Sequence, residues 1–417
     1  MSSTDKLSGS APMRKRTGTV GMGVAIGIAV VLLIVGIAGG YELGTTLNKS
    51  SSTSTIQLTE TGSSLLYPLM VSWGPNYTAY NSQVVLAPES TGSGTGQSYA
   101  ELGLVNIGAS DGYLSNASAT SLINLPVAIS AQLIYYNLPG ISAHINLNGT
   151  ILAMIYAGAI TTWNNPLILA AQSPGVATQL SAISNTIVPI KRSDSSGDTF
   201  LFSSLCYMSW SGWPYKYSTS ALSGSPWTGA TGNSGVVAAL QKTQYSIGYV
   251  GISYESTATG LTYAAVGNDA TLANGTYAAA GSNYVLPSAT NISQDANLAL
   301  THLQFSQYQL ALSMILGGTA NGAINITLGG GGTLPPTGET PYPIANLEYT
   351  LIKTSPTGTT VTSSALAATV HFLQWAISYG NFAPNGSPSA YIDKVNFIPL
   401  TPEVIGYDQQ ELASVTT

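Results

Sequence analysis

The chain has 417 residues, only 7% of them charged and 44% hydrophobic, with 45 Gly and 24 Tyr; that is length for more than one lobe and a sizeable core, under a surface of Ser, Thr, Asn, Tyr and Gly. A formal net charge of -6 with 11 Lys+Arg argues against a nucleic-acid partner, which needs basic patches to meet phosphates. The single cysteine, Cys206, precludes an internal disulfide and reads as buried packing, and His144, His302 and His371 are too scattered for a zinc site.

Arg14, Lys15 and Arg16 precede an uncharged apolar run over residues 20–40. About 20 apolar residues cross a bilayer, with the basic cluster staying cytoplasmic. The sequence therefore predicts a basic cytoplasmic N-terminus over 1–18 and a transmembrane helix over 19–41. The alternative is an export signal; the length favours an anchor. No cysteine follows to take a lipid. Residues 42–55 are a Ser/Thr-rich linker. Sequons at Asn76, Asn116, Asn148, Asn274, Asn291 and Asn325 are compatible with an exported, glycosylated surface.

The fold is expected to begin near Ile56. A short strand over 56–58 leads through Thr61, Gly62, Ser63 and Ser64 into apolar residues at helical spacing, Leu65, Leu66, Leu69, Met70 and Trp73. Pro68 belongs in a first turn, which places the helix start near Ser64. A second strand over 84–87 runs into S-T-G-S-G-T-G at 90–96 and a further helical stretch. The spacing fits neither the dinucleotide fingerprint nor a P-loop. A third apolar strand, 105–110, delivers Asp111 into a loop.

The segment 190–200, I-K-R-S-D-S-S-G-D-T-F, repeats the device: a strand end, an Arg, a Ser/Gly turn, then an apolar helix. Unpaired N–H groups and the positive dipole end of a helix make an anion site. Arg192 adds a fork-shaped, permanently charged donor. Taken alone, such a turn is an ordinary capped helix start; three of them in one chain suggest a shared oxyanion. Helices over 147–160 and 234–241, a strand over 246–254, a Gly/Pro-rich insert at 317–336, a strand over 347–352 and a helix over 364–379 complete the pattern. Alternating strands and helices joined by Gly/Ser turns predict an α/β architecture with open sheets. The tail from Asn385, with Pro388, Pro399 and Pro402, is expected to wrap the surface.

The ordered set T-G-S-S-L, S-T-G-S-G-T-G, N-I-G-A-S-D and K-R-S-D-S-S-G-D-T-F resembles the substrate-binding protein of phosphate-specific ABC transporters. The likeness continues through Y-Y-N-L-P-G at 135–140, L-N-G-T-I-L-A-M-I-Y-A-G-A-I-T-T-W-N-N-P at 147–166, T-G-N-S-G-V-V-A-A-L and S-I-G-Y-V. It is strong from about Leu58 to Gly251, weak from there to Pro341, and returns at Y-P-I-A-N-L-E-Y-T-L-I. The resemblance implies a two-lobed periplasmic-binding-protein-like (type II) fold with the ligand cleft between the lobes. Lobe I would comprise 56–130 and 342–417, lobe II 131–341. It implies an extracytoplasmic, membrane-tethered receptor, not an enzyme, that binds inorganic phosphate without a cofactor or metal and delivers it to permease subunits.

The resemblance also assigns ligand contacts. Ser64 stands at a hydroxyl donor, Leu65 at a phenylalanine that gives only its backbone N–H, Ser93 at another hydroxyl, and Asp111 at an acceptor carboxylate. Arg192 is the charged donor, supported by Asp194; Ser196 gives a hydroxyl, and Gly197 and Asp198 give N–H groups. Asp198 departs from the family's threonine. It is either a cap, with Ser195-x-x-Asp198 as a capping-box-like pair pointing away from the ligand, or a second carboxylate beside Asp111.

An ionised Asp111 is acceptor-only and needs a proton on the ligand. Phosphate carries one near neutral pH and sulfate does not, which argues against sulfate, molybdate or tungstate as the ligand. A hydrolase reading lacks a G-x-S-x-G elbow, a metal-ligand cluster and a placed His base. A structural cell-surface protein would explain the first 55 residues and not the anion motifs.

Overall fold

The computed structural model describes residues 55–115, 117–267, 284–302 and 341–417. The anchor expected over 19–41, the insert at 317–336 and the sequons at Asn116, Asn274 and Asn325 lie outside the described residues. Among the described residues no helix is long and apolar enough to cross a membrane.

Among the described residues a nine-stranded mixed sheet organises the fold. β1 (Ile56–Gly62) lies between β2 (Val84–Ser90) and β3 (Ile107–Ser110), parallel to both. The path continues through β12 (Ala345–Lys353), β4 (Leu122–Asn137) and β8 (Ser246–Gly251) to β6 (Val188–Arg192) and β7 (Thr228–Ala230). The remaining member, β9 (Thr262–Tyr263), pairs with β4. A separate three-stranded sheet holds β5 (Asn146–Asn148), β10 (Ala265–Gly267) and β11 (Tyr284–Val285). The 16-residue β4 is the spine: up to Ala131 it pairs with β12, and from Gln132 onward with β8.

Strand ends feed helix starts. β1 leads to α1 (Tyr67–Tyr80), β2 to α2 (Ser93–Glu101), β6 to α6 (Gly197–Ser209), and β7 to α7 (Gly232–Lys242); between them lie α3 (Gly149–Tyr156), α4 (Pro166–Ala170) and α5 (Pro174–Ser181). Ligands in open α/β sheets gather at such carboxyl ends of parallel strands. α1 starts a turn later than expected, because Ser63 caps the approach: its Oγ accepts from Leu66 N–H at 2.9 Å. α3 is capped as expected by Asn148, whose side chain accepts from Ile151 N–H at 2.8 Å. It stops at Tyr156, ahead of Gly158 at φ 79, a left-handed turn. With its side chain committed to this cap and 2% exposed, Asn148 cannot carry a glycan in the folded chain, which corrects that sequon.

The expected strand at 246–254 ends at Gly251 and becomes a 3-10 turn over Ile252–Thr257. α8 (Ala289–His302) is followed by α9 (Ser363–Ala376), α10 (Ala390–Lys394) and α11 (Pro402–Ser414). Phe372 and Trp375 of α9 pack edge-on and tilted against Tyr77 of α1, at centroid separations of 5.1 and 5.4 Å. The C-terminal tail does not wrap the surface as its prolines suggested. Val395, Phe397, Leu400, Val404 and Leu412 are buried, and Ile398 bridges to Ile129 of β4. Pro402 opens α11 at its first turn, where a missing N–H costs nothing.

Candidate oxyanion site

The ends of β1, β2, β3 and β6 bring all the expected site residues together, and all are buried except Asp194, which is partly so. Ser64, Ser93, Asp111, Arg192 and Ser196 are 1–3% exposed, and Leu65 and Asp198 0%. Two glycines permit the close approach. Gly92 has φ 93, and a Cβ there would sit 2.7 Å from Asp194 Oδ2 and Ser195 O; a Cβ on Gly197 would sit 2.4 Å from Asp111 Cβ and Oδ2. The β2–α2 loop and the Asp111 loop therefore press against the 194–197 turn, and Gly94 N–H donates to Ser195 O at 3.0 Å. Leu65 faces Gly251, and its carbonyl accepts from Ser253 Oγ at 2.8 Å.

Arg192 is held on two sides. Its Nε donates to Asp194 Oδ1 at 2.8 Å, one terminal nitrogen pairs with Asp194 Oδ2, and the other reaches Asp198 Oδ2 at 2.6 Å. A guanidinium has five N–H donors, so three bonds to carboxylates leave two for another oxyanion. Burial works against its charge, yet the bond to Asp194 and the fields of Asp198, Asp194 and Asp111 hold its pKa above the ordinary value. Burial also opposes ionisation of Asp194, but the Arg192 bond outweighs it and keeps that carboxyl below the ordinary range. Neighbouring Lys191 points to the opposite face of β6, where Nζ donates to the carbonyls of Leu222, Ser223 and Ser225 at 2.6, 3.1 and 2.9 Å. Among the described residues Arg192 is the cation facing the cluster.

Asp198 does not make the capping-box contact that Ser195-x-x-Asp198 suggested. Ser195 Oγ donates to Thr219 Oγ1 at 2.9 Å. Asp198 instead accepts from Arg192, from Asn233 Nδ2 at 2.7 Å and from Gln132 Nε2 at 3.2 Å. Burial first, and then the nearby Asp111 charge, push its carboxyl up to about 7 against the pull of Arg192, Gln132 and Asn233.

Asp111 accepts from Ser63 Oγ, while its own N–H donates to Ser93 Oγ at 3.2 Å. Burial raises its pKa; Glu348, Ser63, Arg192 and Ser93 act in the other direction. The hydroxyls are oriented for donation. Ser64 Oγ accepts from Asn233 N–H at 3.2 Å and Nδ2 at 3.0 Å, which fills its lone pairs and leaves its own O–H to donate. Ser196 Oγ is buried without a partner among the described residues. Such a group costs free energy unless a ligand oxygen meets it.

Glu348, Asn233, Gln132 and Ser63 belong to the cluster and were not singled out from the sequence. Each had a faint signal: Glu348 and Gln132 interrupt apolar strands, and Asn233 and Ser63 sit inside the quoted Gly/Ser motifs. Among the described residues no group of three or more His, Cys, Asp or Glu could hold a metal ion.

The arrangement suits an oxyanion held by neutral donors and one guanidinium, with a carboxylate to accept a ligand proton. Comparison with known proteins points the same way. Residues 48–378 match the family described as the PBP superfamily domain. A Xylella fastidiosa protein named phosphate-binding protein PstS is 32% identical over 216 residues, covering 50% of this chain and 57% of that protein. A Methanocaldococcus jannaschii protein of the same name is 25% identical over 248 residues, 56% of this chain and 63% of that one. The match thus spans under two thirds of each relative. Among solved structures, a Clostridium perfringens phosphate ABC transporter substrate-binding protein with bound phosphate gives a TM-score of 0.51 at 14% identity, covering 83% of this chain and 100% of that one. A Stenotrophomonas maltophilia phosphate-binding protein gives 0.54 at 16%, covering 85% and 94%. At such identity the likeness is one of fold.

Proposed function

The chain belongs to the PBP superfamily, and from that premise we propose that it is an extracytoplasmic receptor that binds inorganic phosphate and hands it to an ABC-transporter permease. One observation carries the reading: the buried convergence of Ser64, Ser93, Ser196, Arg192 and Asp111 at strand ends and helix starts. The donors meet the oxygens of a dehydrated tetrahedral anion, and Asp111 accepts from its remaining hydroxyl. The names of the relatives support phosphate as that anion. Binding is the whole task of the site, and no catalytic step is assigned to it.

We place the division of the lobes at residues 130/131, next to the point where β4 passes from pairing with β12, last at Ala131, to pairing with β8, first at Gln132. Lobe I is then 56–130 with 342–417, and lobe II 131–341. Short strand crossings of this kind act as hinges in ligand-closing proteins. The apolar run over 20–40 tethers the receptor to the membrane, with the linker over 42–55 as spacer. Its basic flank, Arg14, Lys15 and Arg16, keeps the N-terminus cytoplasmic and the binding unit on the cell surface.

Calorimetric titration of the full-length protein with phosphate, repeated with sulfate and molybdate, tests this function. A saturable one-site signal for phosphate alone supports it; a preference for either other anion replaces it.

A further inference from the structure

Antiparallel pairing of β12 with β3 sets Tyr349 opposite Ser110 and Thr350 opposite Ala109, which carries Glu348 to the position opposite Asp111. Glu348 is 0% exposed, in a strand where every residue is buried. Its Oε1 accepts from Ser130 Oγ at 2.5 Å and, at 3.4 Å, from Asn346 Nδ2. Asn346 Nδ2 also donates to the Asp111 carbonyl at 2.5 Å. The other carboxyl oxygen, Oε2, is buried with no donor to meet it among the described residues, and the neighbouring carboxyl is that of Asp111. Two ionised carboxylates side by side in a dry site repel strongly. A proton on Oε2 turns the repulsion into a hydrogen bond and gives the orphaned atom its partner.

We infer that Glu348 is a specificity-determining residue of the oxyanion site: as a neutral acid it donates its proton in a hydrogen bond to Asp111 and so keeps Asp111 an ionised acceptor. The inference rests on the phosphate reading and deepens it, because the selectivity assigned to Asp111 exists only while Asp111 is unprotonated. The charged groups facing the pair are Asp198 from α6 and Arg192 from β6, with Ser130 of β4 and Asn346 of β12 as neutral partners. Glu348 is held well above the ordinary carboxyl range, by burial first and then by Asp111, while its hydrogen bond works to lower Asp111. Removing that donor lets Asp111 take up a proton more readily. Asp111 then becomes a donor itself, and an oxyanion without a proton gains a place to bind. Glutamine at 348 keeps an N–H donor for Asp111 and a carbonyl for Ser130; leucine keeps neither.

The test uses the full-length protein, with phosphate and sulfate affinities measured between pH 5 and 8 for wild type, Glu348→Gln and Glu348→Leu. In Glu348→Leu the sulfate-to-phosphate affinity ratio is expected to rise at mildly acidic pH by about tenfold, the effect of a one-unit change in the Asp111 pKa. Glu348→Gln should hold the wild-type ratio. The inference is overturned if the leucine variant keeps wild-type selectivity, or if the glutamine variant loses as much. Carboxyl-carbon NMR of ligand-free wild type gives an arm that needs neither a folded leucine variant nor any ligand. The Glu348 carbon must report a neutral acid at pH 7, and an ionised signal there overturns the inference. Failure of wild type to bind phosphate at all would count against the functional reading instead, leaving the NMR result to decide the Glu348–Asp111 pair.

Discussion

Arg192 and Asp198 form an ion pair with an N–O separation of 2.6 Å and side-chain exposures of 1% and 0%. Because Asp111 lies beside it, this pair sits among carboxyls rather than among cations, and on the proposed function the Asp198 charge would oppose an incoming anion at the two guanidinium donors left over. Asp198, pushed up to about 7 by burial and by Asp111, is therefore predicted to make ligand affinity depend on pH.

The sign follows from that direction. Below about 7 Asp198 is increasingly protonated, its hold on Arg192 weakens, and the guanidinium faces the ligand with less competition. Phosphate affinity of the wild type should rise as pH falls from 8 toward 5, by at most about tenfold per unit for one linked proton. Asp198→Thr should flatten that slope. Titrations of both proteins at several pH values check it; identical profiles would remove Asp198 from the binding equilibrium.

Arg192→Ala should abolish the phosphate signal, and it should also destabilise the fold, since it strands Asp194 and Asp198 without their cation. Breaking a buried pair from one side costs roughly 3–5 kcal/mol. Denaturant unfolding should show most of that loss above pH 7 and part of it recovered at pH 5, where Asp198 can be neutral. An unchanged affinity would place the anion elsewhere.

Two carboxyls away from the site predict how stability depends on pH. Glu60 and Asp408 are 1% and 0% exposed, and none of their carboxyl oxygens takes part in a well-formed hydrogen bond among the described residues. Burial raises both well above ordinary values; for Glu60 the Glu89 backbone N–H works against it and the Glu89 charge adds to it, and for Asp408 the Glu411 charge adds to it. For an acid raised on folding, the stabilising contribution is full below the unfolded pKa and is lost as pH rises through the folded one. The protein should therefore be more stable in mild acid than in mild base. Glu60→Gln and Asp408→Asn should each raise the melting temperature at pH 8 relative to pH 5, by an amount equivalent to about 1–3 kcal/mol. A melting temperature that climbs with pH would contradict this.

Much of the site is local in sequence, which is why it was legible there. Arg192, Ser196, Gly197 and Asp198 lie within one strand–turn–helix, and such a turn announces unpaired N–H groups by composition alone. Asp111 was legible for the same reason, as the residue a strand delivers into a loop. The remainder depends on pairing across long stretches of chain. Asn346 reaches Asp111 over a separation of 235 residues and Ser130 reaches Glu348 over 218, and no local pattern encodes either contact. The direction of Asp198 was settled the same way, by Asn233 and Gln132 arriving from α7 and β4. The tail misled because its prolines read as irregular surface chain, whereas Pro402 starts a helix whose Val404 and Leu412 complete the core.

The most direct measurement is competition between phosphate and excess sulfate on wild type and on Asp111→Asn at pH 7. Asp111, facing the ligand as an acceptor, should leave wild-type phosphate binding untouched by sulfate. The asparagine can donate to an unprotonated oxygen, so in the variant sulfate should displace phosphate, with phosphate affinity itself falling by a smaller factor. Sulfate that displaces phosphate from wild type, or an asparagine variant that still ignores sulfate, would contradict the reading of this site as one that recognises phosphate by its proton.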